Sequence, residues 1–264
     1  DISYCGFDET RIHGWFMLPR QRRPEETLPC LLHFHGFTGD RGRPAEFLQW
    51  LTLGMAVLSI DCREQGGQTG NRAAYSSGHA VNVACKGILS KDEFYYRAVY
   101  MDCIKAIDFA VAMPEVDPYR IVLEGASQGG ALAMAVSSLD GRPWRVMADV
   151  PSNSNLERRV VGAHGAYAAV TEYLRQHPAH MTQAFETLSY FDTMNMAANI
   201  RCPVLASVGL KDPVCPAECF YATWNRVVTP KEIVHYPFNG HEGGGALHNE
   251  VKLRWLWSQL QTVD

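Results

Sequence analysis

The chain has 264 residues, 47% of them hydrophobic and 20% charged, and a net charge of −4. A core of that size needs neither disulfides nor a structural metal, and the acidic balance without a basic face excludes binding to a phosphate backbone. No apolar run reaches the roughly 18 residues of a membrane span.

In chain order, apolar stretches at 2–7 and 11–18, joined by Asp8-Glu9-Thr10, predict an antiparallel hairpin. Because Asp1-Ile2-Ser3-Tyr4 already reads as a strand, a native N-terminal segment is expected to precede it. Arg20, Arg22 and Arg23 read as a solvated turn. From there short apolar strands, expected at 30–35, 56–60, 120–124, 145–150, 203–208 and 232–236, alternate with helical stretches. That alternation predicts an α/β fold: one domain with a mostly parallel eight-stranded sheet covered on both faces. The clearest helix spans 93–113, with Tyr96, Val99, Tyr100, Cys103, Ile104 and Ile107 on one stripe.

Two segments break the alternation. Residues 63–92 are long and rich in Gly, Ser and Asn, the mark of a functional loop. Residues 155–198 read as several helices inserted between two strands. Ligands bind at the carboxyl ends of strands in open α/β sheets, so the insertion either caps a site there or decorates the fold without a role in it.

The eight cysteines are spread along the chain, mostly beside apolar residues. They read as small buried hydrophobes in a reducing compartment, which points to the cytoplasm. Cys215 and Cys219 are close together, but no histidine pair completes a zinc pattern, so no metal site is expected.

The chemistry gathers at Gly125-Ala126-Ser127-Gln128-Gly129, between the strand at 120–124 and a helix-forming Gly130-Ala131-Leu132-Ala133-Met134-Ala135-Val136. A bare G-x-S-x-G arises by chance in roughly one chain in ten of this length. The flanking strand and helix supply what a nucleophile elbow needs: a tight turn that lifts the serine hydroxyl above the sheet at a helix amino end. Serine also needs a base, and the base an orienting acid, in the order Ser, acid, His for this fold. Asp212 follows the strand at 203–208 and His241 follows the last strand, so Ser127, Asp212 and His241 meet both order and topology. The competitors fit less well. His235 lies within a strand, His248 is expected to be exposed on the closing helix, and His177 and His180 belong to the insertion. Asp149 ends a strand but precedes the insertion, which makes it the alternative acid. Oxyanion stabilisation needs two amides, expected from Gln128 and, after His35-Gly36, from Phe37. These residues define an α/β-hydrolase with a serine nucleophile. A binding module on the same fold would be expected to carry a broken triad.

Beyond the elbow, Gly-Ile-Leu-Ser-Lys-Asp-Glu-Phe-Tyr-Tyr-Arg at 87–97, Thr-Leu-Ser-Tyr-Phe-Asp at 187–192, the G-x-S-Q-G-G form at 125–130 and His241-Glu242 recur as a set. With them the chain resembles the acetyl xylan esterase and cephalosporin-C deacetylase family, carbohydrate esterase family seven. The resemblance implies removal of acetyl groups from small esters, xylo-oligosaccharides and cephalosporin C among them. It also implies an intracellular homohexamer and no cofactor. The chain departs from the family pattern in three places. Glu64 stands within Arg63-Glu64-Gln65 where the family has glycine, Phe37 stands where tyrosine is common, and Ser152-Asn153 replaces a bulkier apolar pair. The alternative on the same fold is a longer-chain carboxylesterase or a peptidase. The mixed insertion, with Tyr167, Tyr173, Arg175 and several histidines, does not separate these.

Overall fold

In the computed structural model, which describes residues 1–23, 25–79 and 82–261, the first two apolar stretches form β1 (Ile2–Cys5) and β2 (Arg11–Met17), paired antiparallel with Ile2 opposite Gly14. The first strand stops two residues before its expected end because a 3-10 turn, Phe7–Glu9, begins there, with φ of 54° at Asp8 and 60° at Glu9. The other strands are β3 (Leu28–Phe34), β4 (Ala56–Ile60), β5 (Val116–Ala126), β6 (Pro143–Asp149), β7 (Val204–Gly209) and β8 (Lys231–Tyr236). They form an eight-stranded sheet in the order β1-β2-β4-β3-β5-β6-β7-β8, parallel from β4 to β8. The eight strands lie where the alternation predicts them; β5 starts four residues early.

Period-two side-chain alternation divides the core. Along β3, Cys30, Leu32 and Phe34 join one cluster and Leu31 the other; β4 and β5 divide the same way at Leu58 against Val57 and Leu123 against Val122. On the first face lie α2 (Tyr95–Val111) and α3 (Gln128–Leu139); on the second lie α1 (Leu48–Thr52) and α9 (Gly245–Gln261), with Trp50 and Trp255 inward. Of the predicted stripe on α2, Ile104 alone is only partly buried.

The insertion folds as α4 (Leu156–Val161), α5 (Ala168–Gln176), α6 (Met181–Ser189) and α7 (Thr193–Met196), joined by 3-10 turns. Its two ends are pinned by one side chain. The Asp192 carboxylate accepts the Met194 N–H (2.9 Å) at the start of α7, and the Asn155 (3.0 Å) and Leu156 (2.7 Å) N–H groups at the start of α4. A carboxylate at a helix amino end satisfies otherwise orphaned donors. The chain returns to the sheet at β7, and α8 (Ala217–Trp224) connects β7 to β8.

One expectation is overturned here. His248 is not exposed on the closing helix but buried, at 1% accessibility. It and Lys252 lie one turn apart on the inner face of α9, above carboxylates from the strands. Lys252 Nζ donates to Glu124 Oε1 and Asp149 Oδ2, both at 2.7 Å. His248 Nε2 stands 2.9 Å from Asp149 Oδ1, and His33 Nδ1 stands 2.6 Å from Glu124 Oε2. Buried charges persist when paired in this way.

Candidate active site

The turn from β5 to α3 places Ser127 at φ 59°, ψ −117°, a left-handed conformation that costs a non-glycine residue on the order of 1–3 kcal/mol. Its neighbours hold it there. The Ser127 N–H donates to the Asp149 carbonyl (2.8 Å), and its own carbonyl accepts the Ala131 and Ser152 N–H groups (3.0 Å each). The flanking glycines are sterically required: a Cβ on Gly129 would lie 1.8 Å from the Phe34 carbonyl oxygen, and one on Gly125 2.5 Å from the same atom.

Asp212 stands in the loop after β7 and His241 in the loop after β8. His241 Nε2 is 3.0 Å from Ser127 Oγ, and Nδ1 is 2.8 Å from Asp212 Oδ2. The other Asp212 oxygen accepts the Val214 (2.8 Å) and Cys215 (2.9 Å) amides, so the carboxylate has one orientation. Burial pushes the Asp212 carboxyl up, but the His241 contact and the two amides outweigh it and hold it below its ordinary value. The contact with Asp212, and a further one with Cys215, raise His241 from 6.5 to about 10.

These groups open onto a cavity of about 280 Å³, walled also by Gly36, Phe37, Tyr96, Gln128, Ser152, Arg159 and Tyr167. The insertion therefore does contribute to the site, through Arg159 and Tyr167. Gln128 is fixed from the side: its amide bonds Gln65 (3.0 and 3.1 Å) and accepts the Tyr96 hydroxyl (3.1 Å), while Gln65 Oε1 accepts the Thr38 N–H (2.8 Å). The long loop is anchored by Arg63, fully buried, which grips Asp102 through Nε (2.7 Å) and Nη2 (2.9 Å) and reaches Asp8 at 3.0 Å. Asn153, inside the departing Ser152-Asn153 pair, accepts the Tyr167 hydroxyl (2.8 Å) and donates to that of Tyr100 (3.0 Å).

The competing residues lie elsewhere. Asp149 points to Lys252 and His248, His235 is exposed on β8 beside the Tyr221 hydroxyl, and His180 stacks with Tyr173 and with His177. Sequence reading missed Cys215. Its Sγ lies 4.0 Å from Ser127 Oγ, and although burial pushes the thiol up, His241 and the Arg159 charge bring it below its ordinary value. Its position three residues after Asp212, in the turn that binds the carboxylate, was the available signal. Arg159 was missed as well: it donates to the Val214 carbonyl (2.9 Å), while its Nε and Nη1 have no hydrogen-bond partner among the described residues. Asp212, Cys215 and His241 offer one ligand atom each within 4.8 Å of one another, a donor set that zinc accepts. A metal there would compete with the hydrogen bonds that link the three residues to Ser127.

Sheet order, elbow and the Ser-His-Asp chain define an α/β-hydrolase. The sequence profile of the acetyl xylan esterase (AXE1) family matches residues 1–259, and the chain belongs to that family. It is 30% identical over 187 residues to the acetyl esterase Axe7A of Xylanibacter ruminicola, covering 71% of this chain and 41% of that protein. Among solved structures, it is similar to the acetyl xylan esterase from Paenibacillus sp. R4, with 41% identity and a TM-score of 0.93 over 97% of this chain and 82% of that one. It is also similar to acetyl xylan esterase 1 from Thermoanaerobacterium sp. JW/SL YS485, with 29% identity and a TM-score of 0.91 over 97% of this chain and 81% of that one.

Proposed function

We propose that this chain is a serine acetylesterase that deacetylates small acetylated carbohydrates, xylo-oligosaccharides among them, and cephalosporin C, through an acyl-enzyme. The observation that carries the reading is the unbroken contact chain from Ser127 Oγ through His241 to Asp212, at 3.0 and 2.8 Å, opening onto a cavity in a member of this family. Ser127 is the nucleophile. His241 Nε2 takes its proton as Oγ bonds to the ester carbonyl carbon, then gives that proton to the departing alcohol. Asp212 holds the imidazole with Nδ1–H toward it and stabilises the imidazolium. The Phe37 and Gln128 amides receive the oxyanion, with Gln65 and Tyr96 steadying the Gln128 side chain. His241 then takes a proton from water as the water oxygen bonds to the acyl carbon, and returns it to Ser127 Oγ as the acyl–Oγ bond breaks and acetate departs. Apart from that water, each step uses groups of this chain, and the reading calls on no cofactor.

The acyl side is narrow in this reading, because buried Tyr96, Tyr167 and Arg159 stand in the cavity wall. Extra methylenes would displace them, at about 1–3 kcal/mol, or roughly ten- to a hundredfold in rate. The test is kcat/KM for p-nitrophenyl acetate, butyrate and octanoate, with acetate release from acetylated xylobiose. The acetyl ester should lead. A preference for octanoyl, or no acetate from the sugar, would overturn the reading. The assembly belonging to it is a homohexamer, supported by the family resemblance alone, and its place is the cytoplasm, supported by that resemblance and by free cysteines such as the buried Cys30, Cys62 and Cys103. Light scattering tests the hexamer, and fractionation of the source cells tests the location.

A further inference from the structure

Next to the catalytic cavity lies a second one, of about 420 Å³, and the two share Phe37. They also meet through Gln65, which lines the second cavity and bonds the side chain of Gln128 in the first. Its chemistry differs from that of the first. Glu64 and Lys86 form an ion pair on its wall, both partly exposed, with Thr38 and Asn82 nearby. Glu64 is held at φ 57°, a position that favours glycine, and its N–H bonds the Thr69 carbonyl (2.9 Å). Its second carboxylate oxygen accepts Asn71 Nδ2 (2.8 Å), so the side chain is fixed rather than loose in solvent. A glutamate kept at a backbone position that penalises it, on the wall of a cavity that adjoins the catalytic one, calls for a function.

We propose that this second cavity is the alcohol subsite, and that Glu64 and Lys86 recognise vicinal hydroxyls of a sugar. The inference rests on the esterase reading above and names the part of the substrate that leaves. A sugar hydroxyl both donates and accepts. The ion pair presents an acceptor-only carboxylate next to a donor-only ammonium, so one hydroxyl of a diol donates to Glu64 while its neighbour accepts from Lys86. In this arrangement the ester oxygen faces Ser127 while the sugar ring passes half-exposed Phe37, which lines both cavities, and extends toward Glu64. An aryl alcohol without hydroxyls gains nothing from either charge.

The test is a comparison of two substrates in the intact chain: p-nitrophenyl acetate and mono-acetylated xylobiose. Glu64→Gly suits the backbone at this φ and removes the side chain with its carboxylate, Glu64→Gln keeps the stem and removes only the charge, and Lys86→Met removes the ammonium. Each variant should raise KM for the acetylated sugar about tenfold or more, the worth of a hydrogen bond to a charged group. Both kcat and the kinetics on p-nitrophenyl acetate should stay within about twofold, well below that hydrogen-bond effect. Unacetylated xylobiose should inhibit the parent competitively and the variants at least tenfold more weakly, by the same reasoning. Equal losses on both substrates, or no change on the sugar, would overturn the subsite while leaving the esterase reading intact. A parent chain that cleaves no acetyl ester would overturn both.

Discussion

Replacing Lys252 with methionine keeps the stem that fills the space under α9 and removes the ammonium shared by Glu124 and Asp149. Glu124 keeps His33 and Asp149 keeps His248, but two buried carboxylates then lose the cation between them. Stripping one partner from a buried ion pair costs about 3–5 kcal/mol. For a chain of this length each kcal/mol moves Tm by roughly 2–4 °C, so Tm should fall by about 6–20 °C. The loss should depend on pH. Burial pushes the Glu124 carboxyl up, but the charges of Lys252 and His33 outweigh it and hold it far below its ordinary value of 4.5. A carboxyl depressed by folding contributes stability that is complete above the unfolded value and lost as pH falls toward the folded one. Without Lys252 burial raises the carboxyl against His33 alone, so it takes up its proton at higher pH; the variant's deficit should be full at pH near 7 and smaller at pH near 4.5, where pH has fallen through the variant's own raised folded value. Calorimetry at the two pH values measures this. An unchanged Tm at neutral pH, or a deficit as large in acid, would refute the argument.

Ser127→Ala should lose activity on the order of a million-fold with an unchanged circular dichroism spectrum, and an organophosphate should label the parent at Ser127 only. The imidazolium of His241 cannot accept the serine proton, and contacts with Asp212 and Cys215 favour that charged form. kcat/KM should therefore rise with pH with a midpoint above the ordinary 6.5, measured across a pH series, and Cys215→Ala should move the midpoint down. His235→Ala should leave the limb where it is; its disappearance there would reassign the base. Gly129→Ala places a methyl 1.8 Å from the Phe34 carbonyl oxygen and should destabilise by more than about 4 kcal/mol, read as loss of soluble protein or of the urea transition.

The sheet was legible because its strands are buried on both faces and therefore apolar at successive positions, as in Val204, Leu205 and Ala206. The meeting of Ser127, Asp212 and His241 was legible because loops at the carboxyl ends of parallel strands converge whatever the rest of the chain does. Residues whose role depends on a neighbour distant in sequence were not. His248 looks exposed on a closing helix with a weak apolar stripe until Asp149 is placed opposite it. Cys215 resembles the other cysteines until α4 brings Arg159 against it. Arg63 stands in a polar loop, and its burial follows only from Asp102, 39 residues away on α2. Asp192 ends the Thr-Leu-Ser-Tyr-Phe-Asp stretch at 187–192, but its reason, closing both ends of the insertion, exists only in three dimensions.

Ser127 is carried by β5 and Asp212 by β7, with β6 between them. Neighbouring strands stand about 4.8 Å apart, so the two loops start two strand widths, roughly 10 Å, from each other. One imidazole and its contacts of 3.0 and 2.8 Å fill that interval. The lateral ruler of the contact chain from Ser127 to Asp212 is thus the hydrogen-bond spacing of the backbone, which side-chain substitution does not alter. β6 sets the height as well as the width, since its Asp149 carbonyl receives the Ser127 N–H. Apolar exchanges beneath the sheet that keep volume and strand pairing would leave this ruler in place, so the interior can drift widely in sequence without detuning the serine.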